Sequence, residues 1–142
     1  MISLTRKTDY AILALSHLAS FEEGRVSNVR EIATQFDIPG ELLAKVMQCL
    51  AREGLVLSHA GPAGGYSLAS DPSEISVADV VLALEGPLRI ASCFDEDGSN
   101  PCSAYDKCTL RDPIKLLQIR LFELLDGITL AEISQSPVGV SE

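Results

Sequence analysis

The chain has 142 residues, 46% of them hydrophobic, with 11 Lys and Arg against 20 Asp and Glu for a formal charge of −9. That length suits one compact unit or two small lobes with a genuine core, and it excludes a large multidomain enzyme. The charge is uneven: residues 1–70 carry 6 basic and 7 acidic side chains, whereas residues 71–142 carry 5 and 13. Such a balance argues against nonspecific coating of nucleic acid, yet a local basic face in the nearly neutral first half can still dock on phosphates.

The first segment, Leu4 to Phe21, holds Tyr10, Ala11, Leu13, Ala14, Leu15, Leu18 and Ala19 with little polar surface, which predicts a helix buried on more than one side. A hydrogen-bonded core or interface role is expected for His17 within it. After a Glu22-Glu23-Gly24-Arg25 break, Val29, Ile32, Ala33 and Phe36 repeat at helical spacing, with Asn28 as N-cap and Glu31 three residues on. Asp37-Ile38-Pro39-Gly40 reads as a turn, and a third helix follows from Glu41 to Glu53. Its inward positions are Leu42, Leu43, Val46, Met47 and Leu50. The opposite stripe of Glu41, Ala44, Lys45, Gln48 and Arg52 is free to read DNA edges. Cys49 is expected on the inner side as a small buried residue.

Leu55–His59 and Tyr66–Leu68 read as strands joined by Gly61-Pro62-Ala63-Gly64-Gly65, whose glycines permit a tight reversal. Three helices followed by such a hairpin form the winged helix-turn-helix pattern, so the fold class is mainly α with a small β-hairpin. Ser76-Val77-Ala78-Asp79 then caps a short helix that ends at Gly86-Pro87. From Thr109 to Asp126, Leu110, Ile114, Leu117, Leu121 and Leu124 recur at alternating four and three spacing. That is a coiled-coil seam, with Leu116, Ile119 and Phe122 as a second stripe. The expectation is a long C-terminal dimerisation helix, one side on its own lobe and another on a twin subunit. Thr129-Leu130-Ala131-Glu132 caps a last short helix before a polar tail. The chain therefore divides into a winged-helix DNA-binding part (1–70), a connecting helix with a cysteine-bearing loop (71–108), the dimerisation and terminal helices (109–134) and a flexible tail (135–142).

No stretch approaches the roughly 18 to 20 apolar residues of a membrane span, and the first residues lack a signal-peptide layout, so a soluble cytoplasmic protein is expected. In that compartment cysteines point to metal or redox chemistry rather than structural disulfides. Cys93, Cys102 and Cys108 are separated by eight and five intervening residues on one Gly- and Pro-containing loop, where three thiolates can converge on a soft metal centre, an iron-sulfur cluster or zinc. A fourth ligand must come from elsewhere; Asp95, Glu96, Asp97, Asp106 and Asp112 are nearby carboxylates. No Ser/His/Asp set, phosphate-cradling Gly-rich loop or His-rich metal motif supports an enzyme. For DNA contact, Lys45 and Gln48 suit the major groove, Arg52 the backbone, Arg6 and Lys7 the phosphates, and Glu41 a cytosine amine. His59 either touches DNA or caps the wing.

Thr8-Asp9-Tyr10-Ala11, the Leu50-Ala51-Arg52-Glu53-Gly54-Leu55-Val56 end of the helix-turn-helix, the Gly61–Leu68 wing, and the three-cysteine loop before a helix ending Asp126-Gly127-Ile128-Thr129-Leu130-Ala131-Glu132-Ile133 together resemble the Rrf-two family of bacterial regulators, in particular its cluster-binding IscR, NsrR and SUF-regulator types. The resemblance spans nearly the whole chain. It implies a homodimeric transcriptional regulator, a repressor, that binds a double-stranded operator and a [4Fe-4S] or [2Fe-2S] cluster at Cys93, Cys102 and Cys108. Three departures stand out. The first spacer is longer than the five residues of the IscR type, Arg111 stands where that type carries a histidine ligand, and Ala60 replaces a wing arginine. Asp9 matches the aspartate that the NsrR type contributes from the partner subunit, which favours [4Fe-4S]. The alternative is a cluster-free thiol-redox or zinc-binding regulator of the same fold.

Overall fold

The computed structural model describes residues 5–21, 24–90 and 104–135. Its elements run α1 (Arg6–Ala19), α2 (Val29–Phe36), α3 (Gly40–Arg52), β1 (Val56–His59), β2 (Gly65–Leu68), α4 (Val77–Glu85), α5 (Arg111–Asp126) and α6 (Leu130–Gln135), with short 3₁₀ turns at Pro72–Glu74 and Tyr105–Lys107. This is the mainly helical, hairpin-bearing winged-helix class the sequence predicts. Among the described residues no helix is long and apolar enough to cross a membrane.

The core is built where three amphipathic helices pool their apolar faces. Leu15 of α1, Ile32 of α2 and Leu43, Met47 and Leu50 of α3 are wholly removed from solvent and join Ile38, Val46 and Val56 in one cluster. α1 is the central strut, packing against α2, α3, α4 and α6. Its buried face carries the small residues Ala11 and Ala14, both wholly removed from solvent.

Local chemistry sets the boundaries. Asn28 caps α2 by accepting the Glu31 N–H at 2.8 Å. The reversal between α2 and α3 passes through Asp37, which takes the left-handed conformation at φ 54°, while Ile38 is driven into the core. Aspartate tolerates that conformation better than most side chains, so the reversal begins before Pro39 and Gly40. Ser76 and Asp79 form a reciprocal capping box on α4 through Asp79 N to Ser76 Oγ at 3.1 Å and Ser76 N to Asp79 Oδ2 at 3.0 Å.

The hairpin is antiparallel, with Val56 opposite Leu68, Leu57 opposite Ser67, Ser58 opposite Tyr66 and His59 opposite Gly65. The far edge of β2 is covered by Ser27, which exchanges both backbone hydrogen bonds with Tyr66 at 2.8 and 2.9 Å. This single bridge ties the entry to α2 to the outer edge of the two-stranded wing. It also explains a glycine: a Cβ on Gly65 would lie 2.4 Å from the Ser27 carbonyl oxygen.

The C-terminal helices behave differently from one another. No residue of α5 is buried within the protomer, and Leu110, Leu116, Leu117, Ile119 and Leu124 are 46–61% exposed. Phe122 and Ile119 of the second stripe line a groove with Leu82, Pro87 and Leu88, so that side of α5 lies on its own lobe. α6 folds back onto α1, and its Leu130, 2% exposed, belongs to the central cluster.

Candidate nucleic-acid interface and metal-binding segment

The reading surface begins with α3. Because Leu43, Val46, Met47 and Leu50 are drawn into the core, Glu41, Lys45, Gln48 and Arg52 are left exposed at i, i+4, i+7 and i+11, a single face of the helix. Glu41 sits in the first turn and Arg52 in the last, each on the side the helix dipole favours. A cation pair, an amide and a carboxylate on one exposed helical face can contact phosphates and base edges together.

Cys49 is half-buried rather than sunk in the core. Its thiol donates to the Ala83 carbonyl of α4 at 3.1 Å and accepts from the Arg52 guanidinium at 3.6 Å. A polar backbone group from α4 reaches this position, which suits a thiol better than a purely apolar side chain.

In the wing, the exposed His59 ring shares a 2.8 Å hydrogen bond between its Nε2 and the buried Ser67 hydroxyl. The geometry therefore makes His59 a clasp across the hairpin. Arg6, Lys7 and Asp9 are all exposed on the first turn of α1. That turn is capped from a distant element: the Thr5 N–H donates to Glu85 Oε1 at 2.7 Å. Partial burial opposes ionisation of Glu85, but hydrogen bonding from Thr5 outweighs it and holds the carboxyl below its ordinary range. Nothing local in the sequence signals this cap, since its partners stand 80 residues apart.

His17 is 5% exposed and stacks edge-on against Phe21 and Phe36, with ring centroids 4.7 and 5.8 Å away. Its Nε2 has no hydrogen-bond partner among the described residues, which corrects the expectation of a hydrogen-bonded histidine. Burial lowers its pKa below 6.5, Glu31 opposes that shift, and Arg25 reinforces it. The aromatic box selects a neutral, apolar imidazole. Arg25 itself lies over the Phe21 ring at 3.7 Å and 3.8 Å from Glu31.

Of the three cysteines ahead of α5, Cys108 is placed: a half-exposed free thiol closing the 3₁₀ turn three residues before α5. Cys93 and Cys102 lie outside the described residues, as do the neighbouring carboxylates Asp95, Glu96 and Asp97. Among the described residues no three His, Cys, Asp or Glu side chains converge as a metal site. Asp9 is thus placed on α1 and Cys108 on the approach to α5, and among the described residues the two do not belong to a common metal site.

A helix-turn-helix with an exposed polar stripe, flanked by a two-stranded wing, defines a winged-helix DNA-binding protein. The family described as Rrf2, iron-dependent transcriptional regulator, matches residues 4–136, and the chain belongs to it. The transcriptional regulator NsrR of Oceanobacillus iheyensis is 32% identical over 132 residues, covering 93% of this chain and 89% of that one. Protein aau3 of Rhizobium meliloti is 35% identical over 130 residues, covering 92% and 83%. Among solved structures, IscR of T. potens is similar at 30% identity with a TM-score of 0.68, covering 97% of this chain and 94% of that one. CymR, the global cysteine regulator of B. subtilis, shares the fold at 24% identity with a TM-score of 0.74, covering 94% and 97%.

Proposed function

We propose that this protein is a cytoplasmic, homodimeric transcriptional repressor whose DNA affinity follows the state of an iron-sulfur cluster, and that its targets are genes of cluster assembly or of redox and nitric-oxide stress. The observation that carries the cluster reading is the set of three thiols within residues 93–108 of a chain that belongs to a family of iron-dependent regulators. Thiolates are the donors such clusters prefer, and Cys108, free and half-exposed, has the chemistry and access of a ligand. Cys93, Cys102 and Cys108 would hold the cluster with the partner subunit's Asp9 as fourth ligand, which favours [4Fe-4S] over [2Fe-2S]. When bound, the cluster supplies a centre that oxidants and nitric oxide attack.

The remaining residues act on DNA. Lys45 and Gln48 enter the major groove, Arg52 and the Arg6-Lys7 pair neutralise phosphates, Glu41 discriminates against bases that offer no amine donor, and His59 braces the wing. The apolar, unburied face of α5 supports the dimer, because large side chains such as Leu117 and Leu124 stay hydrated in a lone protomer.

The test is anaerobic purification followed by iron and sulfide analysis, absorption and Mössbauer spectra, and DNA retardation with loaded and cleared protein at stated salt. A brown protein with iron and sulfide, and an affinity that changes on clearing, is expected. In Asp9→Ala the spectrum changes or the cluster is lost faster. Colourless protein carrying one zinc per chain, or an affinity indifferent to clearing, overturns the reading in favour of a zinc or thiol regulator.

A further inference from the structure

The junction between α5 and the DNA-binding lobe is built unlike the rest of α5. At Gly127 the chain leaves the helix, and the next residues are stitched to the entry of α4: Val77 N donates to Ile128 O at 2.9 Å, and Leu130 N donates to Ile75 O at 2.7 Å. Ile75 and Leu130 are both 2% exposed, so this stitched segment is part of the lobe. The helix itself ends on the other side of Gly127, a residue with no side chain to resist bending. Across that glycine the Ile128 N–H donates to Leu125 O at 3.3 Å, and a side-chain strap ties the helix end to the lobe: the Ser76 hydroxyl donates to Asp126 Oδ1 at 3.1 Å. Ser76 is 7% exposed and held rigidly, since Asp79 takes its N–H and offers its own N–H to the hydroxyl oxygen.

We infer that the Ser76–Asp126 strap is a positioning device that, beside the packing of Ile119 and Phe122 on Leu82 and Leu88, sets the angle of α5 on the DNA-binding lobe and thereby selects the spacing of the two operator half-sites. The inference rests on the dimeric reading above, in which the two α5 helices form the fixed frame. From that frame each lobe hangs as a lever of about 20 Å, the span of a domain this size. A tilt of about 10° at the joint then displaces α3 by about 3.5 Å, one base-pair step along the duplex. The strap therefore acts on register between half-sites and leaves the contacts within each half-site alone.

The experiment selects a half-site from a randomised duplex library with the full-length protein. Affinities are then measured for duplexes carrying two such half-sites at separations varied one base pair at a time. The wild type is expected to favour one separation, with neighbours disfavoured about tenfold, the scale of a modest duplex distortion. Asp126→Ala flattens that preference while sedimentation still gives a dimer and single half-site binding is retained. Asp126→Asn, which keeps the acceptor oxygen, restores it. Should Asp126→Ala be too unstable to bind DNA, Asp126→Glu serves instead, and its longer side chain moves the preferred separation. A variant series that keeps the wild-type separation and its sharpness overturns the inference. A library from which the wild type selects no duplex overturns the functional reading itself.

Discussion

Truncating Leu130 to alanine separates two accounts of the C-terminal region. Leu130 is 2% exposed, and the side chains around it, Ile12, Val77, Val80 and Ile133, leave no room for a water molecule. Removal of its isopropyl tip therefore opens a fresh cavity in a site whose neighbours belong to three different helices and cannot all collapse inward. Buried Leu→Ala changes cost about 2 to 5 kcal/mol, and a site this tightly walled belongs near 3 kcal/mol. At about 3 °C per kcal/mol for a chain of this length, the melting temperature falls by roughly 9 °C. The matching control is Leu124→Ala, because Leu124 is 61% exposed on α5 in the protomer. In a monomer that change stays within about 0.5 kcal/mol. In a dimer held through α5 it lowers the melting temperature in a way that depends on protein concentration, since association is linked to folding. Circular dichroism melts of both variants at two concentrations a hundredfold apart distinguish the two. Leu130→Ala should show the same drop at both concentrations; a drop below about 0.5 kcal/mol would refute the placement of α6 in the core of the DNA-binding lobe.

His17 gives a pH dependence of definite sign. Its folded pKa is lowered, so the stability held by the neutral ring is present above the unfolded value of 6.5 and is lost as pH falls below it. Urea denaturation at pH 7.5 and 5.5 should show the wild type weaker at the lower pH and His17→Phe nearly indifferent. Equal losses in both proteins would sink the assignment. Gly65→Ala forces a methyl group into the Ser27 carbonyl, and it is expected to break the Ser27–Tyr66 rung, cost roughly 1 to 3 kcal/mol and abolish operator retardation. A stable variant that binds DNA normally would contradict the close approach. For α3, Arg52→Ala should weaken binding to all sequences alike and reduce the slope of log affinity against log salt by about 1, whereas Lys45→Ala and Gln48→Ala should each relax preference at one base pair. An unchanged salt slope removes Arg52 from the phosphate contacts.

Much of the fold was legible because its signals are local. Apolar residues three and four apart place Leu43, Val46, Met47 and Leu50 inside α3, and the same spacing leaves Glu41, Lys45, Gln48 and Arg52 outside. The Asn28 and Ser76 caps are read from the residue and its third neighbour, and the glycines of the wing from the turn they must make. Cys49 and His17 were only half legible. Periodicity puts both toward the interior, but the Ala83 carbonyl that meets Cys49 lies 34 residues on, and of the two rings against His17 Phe21 is local while Phe36 comes from the next helix.

What the sequence determined by itself is the order and type of the elements, the exposed stripe of α3 and the presence of three thiols ahead of the long helix. Tertiary structure alone decided that Ser27 bridges to the edge of the wing, that Glu85 caps α1 from 80 residues away, and that α6 returns to fill the core beside α1. The division has a physical origin. Helix periodicity, caps and turns are fixed by interactions across three or four residues. A hydrogen bond or a packed side chain between distant segments depends on how all the helices settle together, and the chain carries no local mark of it.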